Sequence, residues 1–181
     1  RQRQMCIRDR DTIIIQEYIP GDDSHLFDAV VYADKNKKVK MVSFAQIGLQ
    51  EHAPRMIGNA AVIINGYSQY PGIEEQIEKI RKFTEKIGYQ GFAEFDMKYD
   101  ARDGKYKVME INARQGRCSY YITPAGFNLI ELLYKDLIEG KELKYKICDK
   151  EVLETFVPKC VVKKYITNEA VSYTHLTLPT I

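Results

Sequence analysis

The stretch from Gly91 to Gly116, GFAEFDMKYDARDGKYKVMEINARQG, restricts the possible folds of this chain more than any other. Phe92 to Tyr99 and Lys105 to Ala113 each carry apolar residues at short spacing, with the turn-forming run Ala101-Arg102-Asp103-Gly104 between them. That pattern predicts two strands joined by a hairpin. A three-residue loop, Arg102-Asp103-Gly104, with Gly104 left-handed sets Asp96 opposite Glu110. Side chains alternate along a strand, so Asn112, two residues beyond Glu110, shares its face. Two carboxylates and an amide oxygen therefore converge on one patch.

Facing carboxylates repel by about 0.2–1 kcal/mol when exposed and by more when desolvated. Two readings of the patch stand side by side. A hard cation such as Mg²⁺ would relieve the repulsion, particularly one that also holds nucleotide phosphates. Alternatively, Asp96 and Glu110 lie on a solvated sheet face and pair with Lys98, Lys105 or Lys107.

The other elements are read from the same kinds of pattern. Thr12–Tyr18, Leu26–Ala33 and Val39–Gln46 read as three strands of a meander, with Asp34-Lys35-Asn36-Lys37 as a hairpin turn. Gly48 to Ala60 reads as a loop, and Ala61 to Asn65 as a short strand. Ile73, Ile77, Ile80, Phe83 and Ile87 recur at helical spacing, which predicts a helix packed under the Gly91–Ala113 hairpin. Asn128 with Glu131 forms a capping box for a second helix ending at Gly140, with Leu129, Leu132, Leu133 and Leu137 as its stripe. Lys144–Ile147 and Val161–Ile166 read as further strands. An antiparallel sheet with helices on one side makes an α+β fold.

The order Asp96, then Glu110, Asn112 and Arg114 resembles the metal-binding end of ATP-grasp enzymes, and the string MEINARQGRCSYYITPAG is similar to their carboxylate–amine ligase branch, most closely to D-aspartate ligases. The resemblance covers about Asp11 to Glu139 and implies the C-terminal half of an ATP-grasp domain. It implies that Asp96, Glu110 and Asn112 hold two Mg²⁺ ions, for which Mn²⁺ would substitute, against the phosphates of ATP. Arg114 would lie by the transferred phosphate or the substrate carboxylate, and Arg117 by the acceptor carboxylate. IIIQEYIPG resembles the strand leading into the adenine clamp, which implies that Gln16 and the backbone of Glu17, Tyr18 and Ile19 meet the adenine, while Asp22 or Asp23 holds the ribose. Gln16 stands where the family more often has Glu, and its amide oxygen can still accept the adenine amino hydrogen. Arg55, in the loop over the site, would face substrate or phosphate, with His52 a weaker candidate.

The implied activity is an ATP-dependent ligase that turns a carboxylate, such as D-aspartate, into an acyl-phosphate and then into an amide with an amine acceptor in peptidoglycan synthesis. Other ATP-grasp branches (carbamoyl-phosphate synthase-like or amino-acid ligases) and a non-catalytic nucleotide-binding domain remain alternatives. The family places a glycine-rich phosphate loop and ATP-contacting lysines upstream, within an N-terminal lobe, and no such loop precedes Ile13. Residues 11–170 are therefore expected to be inactive on their own.

Arg1–Arg10 and Val171–Ile181 resemble translated adapter read-through, which leaves residues 11–140 as the ATP-grasp portion and 141–170 as its extension. Arg1, Arg3, Arg8 and Arg10 outweigh Asp9, so the chain's net charge of +2 comes from its first residues and the remainder is nearly neutral. A nearly neutral body offers no electrostatic stripe for nucleic acid. No apolar run approaches bilayer length, so no transmembrane segment is expected. Cys6, Cys118, Cys148 and Cys160 are widely spaced, which suits reduced thiols of a cytoplasmic protein rather than a disulfide framework. Cys118 lacks a nearby His base and reads as a structural thiol.

Overall fold

The computed structural model describes residues 15–54, 56, 58–66 and 70–166. Among the described residues eight strands form one sheet: β1 Leu26–Ala33, β2 Val39–Ser43, β3 Ala45–Gln50, β4 Ala60–Asn65, β5 Gly91–Asp100, β6 Lys105–Asn112, β7 Lys146–Cys148 and β8 Val152–Thr155. The main order is β6-β5-β1-β3-β4-β8, with β2 pairing β1 and β7. All pairings are antiparallel except β2 with β7. The architecture is α+β, as the sequence predicts.

β1 is the central strand, and its fully buried pattern reflects that place. One edge pairs with β5 from Leu26 to Ala33. The other edge is shared: β3 takes Phe27 and Asp28, and β2 takes Val31 to Ala33. Val30 falls in the gap where the chain passes from β2 into β3. The Ser43 hydroxyl fills that gap, accepting from Val30 N at 3.1 Å, so the buried amide is not left unpaired.

Helices cover both faces of the sheet, not one. α1, Ile73–Lys86, lies on the face of Phe27, Val31, Phe95 and Met97. Its C-terminus closes as a Schellman motif, with Gly88 N bonding Glu85 O (3.0 Å) and Tyr89 N bonding Thr84 O (3.2 Å). Gly88 holds the required positive φ of 67°. The helix buries Gln76, Ile77, Ile80 and Thr84, whereas Phe83 and Ile87 of the predicted stripe are exposed. The opposite face is covered by the turn around Tyr121 and Ile122 and by α2, Leu129–Leu133. The Asn128 side chain caps α2 by accepting from Ile130 N and Glu131 N.

α2 runs on into a π-helical turn, Tyr134–Ile138, which carries Asp136 into the interior. Asp136 Oδ2 accepts from the Tyr32 hydroxyl at 2.7 Å and from Lys35 N at 3.0 Å. Burial, and then the carboxylate it bonds, raises the Tyr32 phenol well above its ordinary range.

Two other strand assignments change. Residues 15–18 of the expected first strand have no regular structure, and residues 12–14 lie outside the described residues. Val161–Ile166 is not a strand but part of α3, Lys159–Tyr165, with Val162 and Ile166 packed four residues apart against Val62, Ile64 and Leu153. β8 was not anticipated. Among the described residues, no helix is long and apolar enough to cross a membrane.

The Asp136 contact is testable. Asp136→Ala leaves a buried phenol and a backbone amide without their acceptor, and is expected to cost about 2–4 kcal/mol in urea denaturation. Tyr32→Phe, which removes only one bond, is expected to cost about 1–2 kcal/mol. A loss under about 1 kcal/mol for Asp136→Ala would show that the contact contributes little.

Candidate active site

The predicted pairing of Asp96 with Glu110 is present, though the turn reaches it by another route. Asp100 pairs with Lys105, so the loop holds four residues rather than three, with Gly104 at φ 69°. The shortened register continues as far as Met97 opposite Val108. A bulge at Met109 then adds one residue, and Asp96↔Glu110, Phe95↔Ile111 and Glu94↔Asn112 follow. Without that bulge, Glu110 would sit one position out of step with Asp96.

The hairpin tip is held by Asp100, whose carboxylate accepts from Arg102 N, Nε and a terminal nitrogen and from Lys107 Nζ at 2.7–3.0 Å. These donors keep its carboxyl far below the usual range. Lys107 also meets Asp103 at 3.1 Å, and Lys98 Nζ donates to Gly21 O at 2.7 Å. Two of the three lysines considered as counter-charges for Asp96 and Glu110 are thus engaged elsewhere.

Asp28 and Glu94 belong to this patch, although the sequence analysis did not single them out. Asp28 on β1 pairs with Asp96, which puts three carboxylates abreast on β1, β5 and β6. Glu94 lies two residues from Asp96 on the same face, a relation that period-two reasoning alone would have shown. Asp28 is 4 % exposed and Glu94 8 %. Burial, then the charges of Glu94 and Asp96, push the Asp28 carboxyl well above its ordinary value. Tyr121 opposes this only weakly, since its hydroxyl pairs with Ser43 at 2.9 Å. Burial pushes Glu94 up to about 7, with Asp96 and Glu110 adding to the effect and Arg114 opposing it.

Asn112 closes the group, its Nδ2 donating to Asp96 Oδ2 at 3.1 Å while its Oδ1 faces Arg114 at 3.5 Å. Arg114 also donates to Gln115 O (3.1 Å) and is exposed, as is Arg117. Gly116 then presses onto Glu94 so closely that an added Cβ would stand 1.7 Å from Glu94 Oε1. Cys118 sits beside this loop with its thiol pushed up to about 11, first by burial, as suits a structural thiol.

The segment expected to meet adenine lies beside the hairpin tip. Glu17 pairs with Arg102 at 2.8 Å, and the Tyr18 ring lies 5.6 Å from Lys98 Nζ. Gln16, Glu17 and Tyr18 are exposed and Ile19 half-buried, without strand structure. Lys98 lies two residues from Asp96 on the same face, so this segment adjoins the acidic patch. Asp22 and Asp23 are placed differently. Asp22 caps the 3₁₀ turn Asp23–His25 through Ser24 N, and Asp23 accepts from Gln50 N at 2.9 Å. Both line a cleft of about 630 Å³ with Gln46, His52 and Tyr165. Gln46 pairs with Phe27, so the cleft lies on the sheet face opposite the acidic patch. Arg55 lies outside the described residues.

Among the described residues, no three His, Cys, Asp or Glu side chains form a ready-made metal cage. Within this patch Asp96, Glu110 and Asn112 offer two carboxylates and an amide, all hard oxygens. Mg²⁺ held partly by phosphates needs few protein ligands, and this set fits that kind of ion.

No family model matches the sequence. The chain is 40 % identical over 161 residues to the D-aspartate ligase of Enterococcus faecium (strain Aus0004), covering 86 % of this chain and 37 % of that protein. Its fold matches the biotin carboxylase subunit of a pyruvate carboxylase with a TM-score of 0.54 at 18 % identity, over 70 % of this chain and 27 % of that one. It also matches N5-carboxyaminoimidazole synthetase from Staphylococcus aureus with a TM-score of 0.51 at 15 % identity, over 75 % and 33 %. The biotin carboxylase domain of Hydrogenobacter thermophilus 2-oxoglutarate carboxylase, in complex with MgADP and bicarbonate, matches with a TM-score of 0.51 at 17 % identity, over 70 % and 27 %.

Two measurements test the packing described here. Gly116→Ala is expected to cost about 1–3 kcal/mol through overpacking. Glu94→Ala in the same chain should recover part of that loss, so that the two substitutions are non-additive. Full additivity would remove the close contact. Glu94 also predicts a pH effect. Its carboxyl binds more protons folded than unfolded, so its contribution to stability is greatest below about 4.5 and declines as pH rises to about 7. Glu94→Gln should flatten the stability profile across that window, and an unchanged slope would contradict the shift.

The chain thus shares the fold of these carboxylase and synthetase structures and spans about a third of the length of the D-aspartate ligase it matches.

Proposed function

We propose that this chain is the metal-binding portion of an ATP-dependent carboxylate–amine ligase whose acid substrate is D-aspartate. The observation that carries the reading is the pairing of Asp96 with Glu110, with Asn112 on the same face. The 40 % identity to a D-aspartate ligase supports the choice of acid. The ADP–magnesium complex of the Hydrogenobacter thermophilus neighbour supports nucleotide and Mg²⁺ at the level of the fold.

On this reading Asp96, Glu110 and Asn112 hold Mg²⁺. When bound, the metal offsets negative charge on the phosphate oxygens during transfer. The acid carboxylate takes the γ-phosphoryl group from ATP and releases ADP. An amine then attacks the acyl carbon, phosphate leaves with its bonding electrons, and the nitrogen loses a proton as the amide forms. Asn112, by donating to Asp96, fixes the orientation of that carboxylate, and the bulge at Met109 sets Glu110 beside it. Arg114, exposed next to Asn112, supplies positive charge to a phosphoryl or carboxylate oxygen. Arg117 and Arg55 are assigned to acceptor and substrate anions, as the resemblance implies. Gln16 to Ile19 serve the adenine edge beside the hairpin tip. Asp22 and Asp23, committed to Ser24, His25 and Gln50, would need to exchange these contacts to hold ribose.

Glu110→Gln in the full-length protein keeps the side chain's size and removes one charge. D-aspartate-dependent ADP release is expected to fall by about 100-fold or more, and Mg²⁺-dependent protection by ATP from proteolysis should disappear. Unchanged protection would remove the metal assignment. A panel of acids in the same assay tests D-aspartate separately.

A further inference from the structure

Glu94 and Asp28 have no assigned part in holding metal, yet both are more than nine-tenths buried on the face that carries it. Neither Asp28 oxygen has a hydrogen-bond partner. Among the described residues, Glu94 also has no hydrogen-bond donor or ion pair: desolvation and neighbouring charges alone act on it. The register sets them diagonally across β1 and β5, since Asp28 faces Asp96 and Val30 faces Glu94. Such neighbours are unfavourable unless a cation joins them. The local cation, Arg114, is turned instead to Asn112 Oδ1 and Gln115 O. The backbone of Gly116 presses directly on the Glu94 carboxylate and keeps side chains of the loop out of that contact.

The result is a buried carboxylate and a guanidinium that are near one another and unpaired with each other. A zwitterion presents the complementary pair, an anionic group beside an ammonium. We propose that Glu94, backed by Asp28, receives an alkylammonium group of the ligase's substrate, a role that rests on the ligase reading above. The amino-acid donor's own amino group is the favoured source, because Arg114, two residues beyond the Asn112 that pairs with Glu94, is placed to take its carboxylate. Glu94 is then a specificity-determining residue: it selects acids that carry an amine, and Asp28 keeps the site negative from beneath.

The test compares D-aspartate with succinate, which has the same two carboxyl groups and no amine, in the full-length protein at saturating ATP and Mg²⁺. Wild type is expected to prefer D-aspartate by about 100-fold or more in kcat/KM, as expected where a site built for a polar group meets an analogue lacking it. Glu94→Gln should reduce that preference by about 10-fold or more, through KM for D-aspartate, with KM for ATP and the Mg²⁺ half-saturation changing by less than about 2-fold. If the preference holds but KM for the amine acceptor rises about 10-fold, the site takes the acceptor's ammonium instead and the inference stands with that source. If neither moves, or only the Mg²⁺ requirement moves, the inference is overturned.

Wild-type activity on a different amino acid would sink the D-aspartate reading alone, and the same ratio against that acid's desamino analogue would test Glu94. Activity confined to acids without an amine would overturn the inference. Asp28→Asn and Glu94→Asp, with melting curves, carry the same comparison should Glu94→Gln fail to fold.

Discussion

Asp28, Asp96 and Glu110 stand abreast on three neighbouring strands, with Glu94 one step along the middle one, and this accumulation of like charge conditions the structure around it. The charges of Glu94 and Asp96 raise the free energy of ionising Asp28, those of Asp96 and Glu110 raise it for Glu94, and burial of Asp28 and Glu94 removes the water that would screen them. Asn112 donates to Asp96, and Arg114 lowers the potential at Glu94 from a distance. A sheet held for its own stability would place Val or Ile at Asp28, as at Val30 and Val31 beside it. Retaining a fully enclosed carboxylate with no donor is intelligible where a ligand completes the charge balance.

The same demand explains the irregularity in the hairpin. Asp100 gathers Arg102 and Lys107 so tightly that the turn closes with four residues, which by itself would carry Glu110 out of step with Asp96. The bulge at Met109 corrects the step at the point where it matters. Met109 itself packs against the cluster of Val30, Tyr121 and Ile122, so the extra residue is held in place by the core. Local stability at the tip and alignment at the site are thereby satisfied separately.

Much of this was legible in the sequence. β1, the β1–β2 hairpin, α1 and the Asp96–Glu110 pairing follow from apolar spacing, turn residues and alternation. What escaped has identifiable reasons. Val161, Val162 and Ile166 favour a strand locally, yet burial of Val162 and Ile166 four residues apart against β4 and β8 makes the segment a helix. β8 is four residues long and gives little periodicity. Asp28 looks like an ordinary polar position in a strand, because its partner Asp96 lies 68 residues away and only the β1–β5 register joins them. Glu94 was within reach of simple alternation from Asp96. The side on which Asp22 and Asp23 fall depends on β3 pairing with β1, which local patterns do not encode.

The two sheet faces therefore do different work. One carries, in sequence along β5, Lys98 beside the Tyr18–Gly21 segment, then Asp96 level with Glu110, then Glu94 beside the Arg114–Gly116 loop. The other is packed under α1 and α3. On the ligase reading, this linear order sets nucleotide base, phosphate and acid substrate side by side on a rigid surface, with their separations fixed by strand geometry rather than by loops. Preorganised charge of that kind contributes to catalysis because it does not have to reorient as the reaction proceeds. The Arg114–Gly116 loop is the one part of the row not carried by a strand, and its approach is limited by the contact between Gly116 and Glu94. A carboxylate that binds substrate and at the same time seats the loop presenting the neighbouring arginine would couple recognition of the acid to the placement of the charge that acts on it.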